Sequence, residues 1–184
     1  MSTTSVRFAG TGGQGLILAG LILAEAAAKS HGRNVVQTNS YGPEARGGAS
    51  KSDVIISDEP IYNPKPESAD VLLVMSQPAY DKYVKETAPG GFVLYDSSGV
   101  VPRGGANELG ADVTGIAVRE IQNEIVANVV ALGVLVGAFS LVSEEAIEKA
   151  VLARVPSKAK DLNLKAVRRG IEEGRKLRTE VGRK

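Results

Sequence analysis

Apolar and polar positions divide the chain into short apolar runs separated by loops rich in Gly and Pro. Val6 and Phe8 begin the series as a short strand. A glycine loop follows, and then an apolar stretch from Leu16 to Ala28 in which Glu25 is the only charge, which reads as a helix. His31-Gly32 is a stop signal with glycine just past the last turn. Asn34 to Thr38 reads as a second strand and Ala49 to Ser57 as a third, its apolar part Val54-Ile55-Ile56. The continuous run Val71 to Met75 fits a strand covered on both faces. Ser76 and Pro78 are suited to open a helix over Gln77 to Ala88, with Ser76 as its cap. Pro89-Gly90-Gly91 ends that helix, and Phe92 to Tyr95 is the next strand. Val100 to Gly110 is predicted to be irregular, Val113 to Val118 to be the last strand, and Arg119 to Glu124 to enter a helix. Strand, helix, strand in this order argues a parallel doubly wound sheet.

The C-terminal part is helical by pattern. Ile125 to Val142 is uncharged, and its 18 residues reach the lower bound for a membrane-spanning segment. It also holds Gly133-x-x-x-Gly137, the spacing by which small residues let helices touch. Asn128 near its start, and Ser140, Ser143, Glu144 and Glu145 at its end, favour a helix buried in a soluble fold. Ser143 to Arg154 is predicted to be a short helix that Val155-Pro156 breaks. Lys158 to Arg178 is predicted to be a longer one, with Leu164, Val167, Ile171, Gly174 and Leu177 on one face.

The length of 184 residues suits one α/β domain over 1–184, with no linker long enough to divide it. Without Cys the chain cannot ligate an iron–sulfur cluster through thiolates, and the lone His31 rules out a multi-histidine metal site. The N-terminus runs straight into a strand without a basic and apolar leader, so the expected compartment is the cytoplasm. Net charge is only +1, but residues 1–148 carry 10 Lys/Arg against 17 Asp/Glu, whereas residues 149–184 carry 12 against 4. That basic C-terminal helix is expected to be a solvated face, because no nucleic-acid motif accompanies it.

The candidate chemistry lies in the first loop. Gly10, Gly12 and Gly15 have G-x-G-x-x-G spacing, within Gly10-Thr11-Gly12-Gly13-Gln14-Gly15. Glycine allows a tight turn, and the first N–H groups of the following helix favour an anion. A dinucleotide enzyme would add an acid at the end of the second strand to hold the ribose. Here that region reads Gln37-Thr38-Asn39-Ser40. No Lys follows the loop as in a Walker motif, and there is no G-x-S-x-G turn or other catalytic constellation. A freestanding nucleotide-binding oxidoreductase or regulatory module using Gly10–Gly15 remains the alternative reading.

Three segments together carry a resemblance: the glycine loop, Tyr41-Gly42-Pro43-Glu44-x-Arg46-Gly47-Gly48, and Ser57-Asp58-Glu59-Pro60. With Asn128, Asn163, Ala166 and Gly170 further on, the chain resembles the gamma subunit of 2-oxoacid:ferredoxin oxidoreductases over essentially its whole length. The resemblance implies a three-layer α/β/α fold with a mostly parallel, Rossmann-like sheet. It implies a complex that oxidatively decarboxylates a 2-oxoacid such as pyruvate or 2-oxoglutarate, passes the acyl group to coenzyme A and reduces ferredoxin. Thiamine diphosphate, Mg²⁺ and the iron–sulfur clusters belong to other subunits. The expected partners are alpha and beta subunits, with a delta subunit where one is present, and ferredoxin indirectly. Neither nucleic acid nor a membrane is an expected partner. This chain has no catalytic or metal-ligating residue in that picture, and alone it is expected to be inactive. Gly10, Gly12, Gly13, Gln14 and Gly15 are the candidate loop for coenzyme A phosphates. Tyr41, Glu44, Arg46, Gly47 and Gly48 are the candidate loop facing the active site or a partner.

Overall fold

The computed structural model describes residues 3–40, 49–105 and 107–182, apart from the side chains of Ser30, His31 and Glu180. The strands are β1 (Thr3–Thr11), β2 (Asn34–Ser40), β3 (Ala49–Ser57), β4 (Ala69–Val74), β5 (Thr87–Asp96) and β6 (Glu108–Ala111). They form one sheet in the order β2-β3-β1-β4-β5-β6. β1, β4, β5 and β6 are parallel neighbours. β3 runs against both β1 and β2, which makes β2 parallel to β1. The sheet is therefore mixed where the element order argued for a parallel one. The reason is the short connection between β2 and β3: a parallel crossover needs a dozen or more residues, and a hairpin does not.

The helices are α1 (Leu16–His31), α2 (Gln77–Tyr83), α3 (Val113–Gly115), α4 (Ala127–Phe139), α5 (Glu144–Arg154) and α6 (Lys160–Val181). Strand alternation sends Val6 and Phe8 to one face of the sheet, into the main core with α1, α4, α5 and α6. Arg7 and Ala9 face the other way, where Ala79, Tyr80 and Tyr83 of α2 close a smaller core. The result is three layers, α/β/α.

Three local expectations are corrected. Val113–Val118 is not a strand: β6 lies earlier, in the stretch expected to be irregular. Asp112 then accepts a bond from Gly115 N (3.1 Å) and starts α3, which continues into a π-helical turn at Ile116–Glu120. Local capping overrides the strand preference of Val113, Ile116 and Val118. Helix α2 stops at Tyr83, and a 3₁₀ turn at Val84–Glu86 leads into β5, because Thr87 already pairs with Ala69. Ser76 occupies the cap position of α2 without making a cap bond, and its hydroxyl is buried without a partner.

The apolar C-terminal segment forms α4, buried on every side from Ala127 to Ala138. No helix among the described residues is long and apolar enough to cross a membrane. Gly133 and Gly137 pack against Gly170 and Gly174 of α6. A Cβ on Gly133 would lie 3.0 Å from Gly170 Cα and inside the contact distance of the Val167 carbonyl; Gly137 is in the same position against Ile171 and Gly174. The two backbones touch, and no side chain fits between them.

The basic character of α6 is largely satisfied by neighbours. Arg168 pairs with Glu148 (2.8 Å), Arg169 with Glu120 (2.6 Å) and Arg175 with Glu144 (2.6 Å). Arg178 donates to Gly137 O (2.9 Å). The acidic remainder of the chain and its basic tail are stitched together on the surface, as a solvated helix face.

Candidate ligand cleft at the carboxyl edge of the sheet

β1 delivers the chain to its carboxyl end at Thr11, so Gly10 belongs to the strand, opposite Ser50 of β3. Gly12 to Gly15 make the turn. Gln14 braces it: its Oε1 accepts from Thr11 N (2.8 Å) and its Nε2 donates to Met75 O at the end of β4 (3.1 Å). Both polar ends of Gln14 are thus engaged by the protein, and it shapes the loop. Gly15 has φ of 70°, in the left-handed region, and stands just before α1. Its carbonyl accepts from Asn128 Nδ2 of α4 (3.1 Å). A Cβ on Gly15 would run into the Asn128 side chain, so this glycine is required twice. Gly12 and Gly13 are exposed, and a Cβ on either would meet nothing within 4 Å.

Above this turn opens a cleft of about 650 Å³. Its walls come from the glycine loop, α1, the turn leading into α4 and the connection between α5 and α6. Apolar surface is supplied by Leu18, Met75, Val126, Val129, Val155 and Leu162, and polar groups by Thr114, Asn123, Asn128 and Asn163. Thr114 is held by the buried carboxylate of Asp96, which accepts from its N–H (3.2 Å) and its hydroxyl. Glu124 is the sole charged residue among the described residues lining the cleft. Ile125, 86 % exposed, stands at its lip. The volume is that of small-molecule pockets, and the position is the crevice beyond the carboxyl ends of parallel strands.

Among the described residues, none of the titratable groups with displaced pKa lines the cleft. Burial pushes the Tyr80 phenol up, and its bond to Glu108 adds to this. Hydrogen bonding to Arg154 holds Glu25 below the usual carboxylate range. Among the described residues there is no group of three or more His, Cys, Asp or Glu placed to hold a metal ion.

The second candidate loop, with Tyr41, Glu44, Arg46, Gly47 and Gly48, lies outside the described residues. Its anchors are described. Ser40 pairs with Lys51, and Ala49 is opposite Thr11, so both ends of the loop stand at the same edge as the glycine turn. β2 ends at Asn39-Ser40 with no acid where a ribose-binding one would stand, and Gln37, in mid-strand, is engaged by the protein. Its Nε2 donates to Ile17 O (3.0 Å) and to Ser52 Oγ (2.8 Å).

Sequence reasoning missed a buried charge cluster on the α2 side. Arg7 is 0 % exposed and pairs with Asp53 of β3 (2.6 Å) and with Glu86. It also donates to Pro66 O (3.0 Å), and Lys51 reaches Glu86 (3.2 Å). The signal was present: Arg7 interrupts the apolar run of β1, Asp53 directly precedes that of β3, and the two stand opposite each other in the ladder.

Comparison with known proteins gives the class. Residues 5–173 match the family model described as pyruvate ferredoxin/flavodoxin oxidoreductase, and the chain belongs to that family. Among its relatives is the 2-oxoglutarate synthase subunit KorC of Methanocaldococcus jannaschii, 48% identical over 176 residues that cover 94% of each chain. The fold matches a keto/oxoacid ferredoxin oxidoreductase gamma subunit from Geobacter sulfurreducens with a TM-score of 0.84 and 47% identity, covering 94% of this chain and 99% of that one. It also matches a 2-oxoglutarate:ferredoxin oxidoreductase from Magnetococcus marinus, with a TM-score of 0.84 but 23% identity, over 96% of this chain and 32% of that longer one.

Proposed function

We propose that the chain works as the gamma subunit of a 2-oxoacid:ferredoxin oxidoreductase and helps to enclose coenzyme A at the carboxyl-edge cleft. The observation that carries this reading is a preformed, mostly apolar cleft over the glycine turn, in a chain that covers a gamma subunit almost end to end. The Magnetococcus enzyme of the same fold was solved with 2-oxoglutarate, coenzyme A and succinyl-CoA bound. The close relationship to a 2-oxoglutarate synthase subunit favours 2-oxoglutarate as the complex's substrate. Oxidative decarboxylation then takes place on thiamine diphosphate and iron–sulfur clusters held by alpha and beta subunits. The Cys-free chain supplies no thiolates to such clusters. Its part is to orient the acyl acceptor and keep water from the site.

In this reading Gly13, Gln14 and Gly15 form the cleft floor, with Gln14 as a brace, while Gly10 ends β1 and Gly12 stands exposed on the same turn. Gly12 and Gly13 are the positions where a partner backbone or ligand comes close. The strands that flank Tyr41, Glu44, Arg46, Gly47 and Gly48 end at the same edge, and in this reading Arg46 offers a planar fork for a carboxylate or phosphate. The chain is one domain and acts in the cytoplasm.

The test is co-expression with partner subunits from the same source. The isolated chain should be colourless and should not oxidise pyruvate or 2-oxoglutarate. With its partners it should co-purify as a complex that makes acyl-CoA. Turnover by the chain alone would overturn the reading. In the complex, Arg46→Ala should lower acyl-CoA formation or assembly at least tenfold, about 1.4 kcal/mol.

A further inference from the structure

Asn128 and Asn163 are 6 % and 7 % exposed, and both line the cleft. Each spends its amide nitrogen on a main-chain carbonyl. Asn128 Nδ2 donates to Gly15 O (3.1 Å), and Asn163 Nδ2 donates to Ala159 O (2.8 Å). Those bonds decide which way each amide points, since a flipped amide would set oxygen against oxygen. Neither Oδ1 has a protein partner among the described residues. Neither is sealed off: among the described residues, the fully enclosed side-chain polar atoms without a partner are Ser76 Oγ and Thr87 Oγ1. Both residues line the cleft, so it is the cavity from which a partner for the two oxygens would come. The cleft therefore presents two acceptors on an otherwise largely apolar wall. No Lys or Arg is among its described lining residues, and Glu124 is its one charge.

We propose that this cleft binds an uncharged chain bearing secondary amides, with Asn128 Oδ1 and Asn163 Oδ1 accepting its N–H groups. This rests on the reading that coenzyme A is enclosed here, and it assigns which part enters. The pantetheine arm has two amide N–H donors separated by methylene groups and carries no charge. The nucleotide end carries phosphates, for which this wall has no cation. The arm belongs inside, and the phosphates remain outside. That departs from the expectation that the glycine turn itself cradles phosphate. An unmatched acceptor is costly to bury, so a ligand that supplies the donor gains more than one that merely fills the space.

The test measures calorimetric binding to the complex that this chain forms with its partner subunits. Four probes are compared: coenzyme A, pantetheine, pantetheine methylated on both amide nitrogens, and 3′,5′-ADP. Pantetheine should bind within tenfold of coenzyme A, the methylated form at least tenfold more weakly than pantetheine, and 3′,5′-ADP not measurably. Asn163→Leu, with the fold checked by its melting temperature, should weaken pantetheine at least tenfold and leave the methylated form unchanged. Equal loss for both ligands would mean that Asn163 only supports the fold, and would overturn the proposal. Binding of coenzyme A and 3′,5′-ADP without pantetheine would overturn it too, while leaving the proposed function standing. Failure of coenzyme A and pantetheine alike would overturn both.

Discussion

Two regions of this molecule depend on glycine, for opposite reasons. In the seam between α4 and α6, Gly133, Gly137, Gly170 and Gly174 each face backbone atoms of the other helix, and a Cβ on any of them has nowhere to go. The chain itself explains those glycines. In the turn after β1, Gly15 is explained by Asn128 and by its positive φ, and Gly13 by its positive φ alone. Gly12 has open space above it, and nothing in the described chain demands glycine there. The difference separates a glycine that serves packing from one that leaves room for something outside the chain.

The largest effect should come from breaking the seam. Gly170→Leu would drive a side chain into the Val130 carbonyl and force the helices apart, so a loss of ~1–3 kcal/mol is expected from denaturant unfolding. Gly137→Leu should behave alike. A loss below 1 kcal/mol in both would show that the helices are free to separate. Asn128→Ala is next, because it links the two regions: α4 loses its hold on Gly15 O. Gly15 O keeps its bond from Ala19 N (3.0 Å), so the expected cost is that of one hydrogen bond, ~0.5–1.5 kcal/mol. Its measure is the unfolding midpoint, together with weakened coenzyme A binding.

Gly12→Ala sharpens the contrast. Stability should change by less than ~0.5 kcal/mol, the usual range for surface positions. Gly12→Asp should likewise leave the fold intact but weaken coenzyme A binding in the complex. If coenzyme A binding is unchanged, the open space over Gly12 has no use in ligand approach. Gly13 is the poorer probe, since its φ of 94° strains any side chain.

The smallest effect is on the surface of α6. Hydrogen bonds from Arg169 to Glu120, from Arg168 to Glu148 and from Lys176 to Glu173 hold these carboxyls below their ordinary value of 4.5. A carboxylate with a depressed pKa adds stability above its unfolded pKa and loses it as pH falls through the folded one. Stability should therefore decline below about pH 4.5, and the slope should be shallower in Glu120→Gln. Screening by solvent keeps each pair's share within ~1 kcal/mol, and added salt should shrink it.

How much of this was legible in the sequence depends on whether the deciding contact is local. The buried helix α4 was readable, because a segment apolar on all sides must be buried. So were the turn at Gly12–Gly15, the stop at Gly32 and the cap Ser143, which accepts from Ala146 N (3.2 Å). The direction of β3 was not read, since alternation looks the same along either direction of a strand. β6 has only four residues and one neighbour, and its Glu-Leu-Gly-Ala carries little strand preference. In the cleft, Gly15 and Asn128 had both been singled out, but their hydrogen bond spans 113 positions. Local pattern gives no account of such a pair. The Arg7–Asp53 pair is similar: each charge was visible, and the register that joins them was not.

The enclosure of α4 has a consequence for the order in which the molecule opens. Amide protons in this helix are covered by the sheet, by α1 and by the α6 backbone itself, and no small displacement of a side chain brings water to them. Their exchange with deuterium should require separation of α4 from α6, which dismantles the main core. The amides of Val129 to Leu135 should therefore exchange at the rate of whole-molecule unfolding, whereas those of the edge strand β2 should exchange through local fraying.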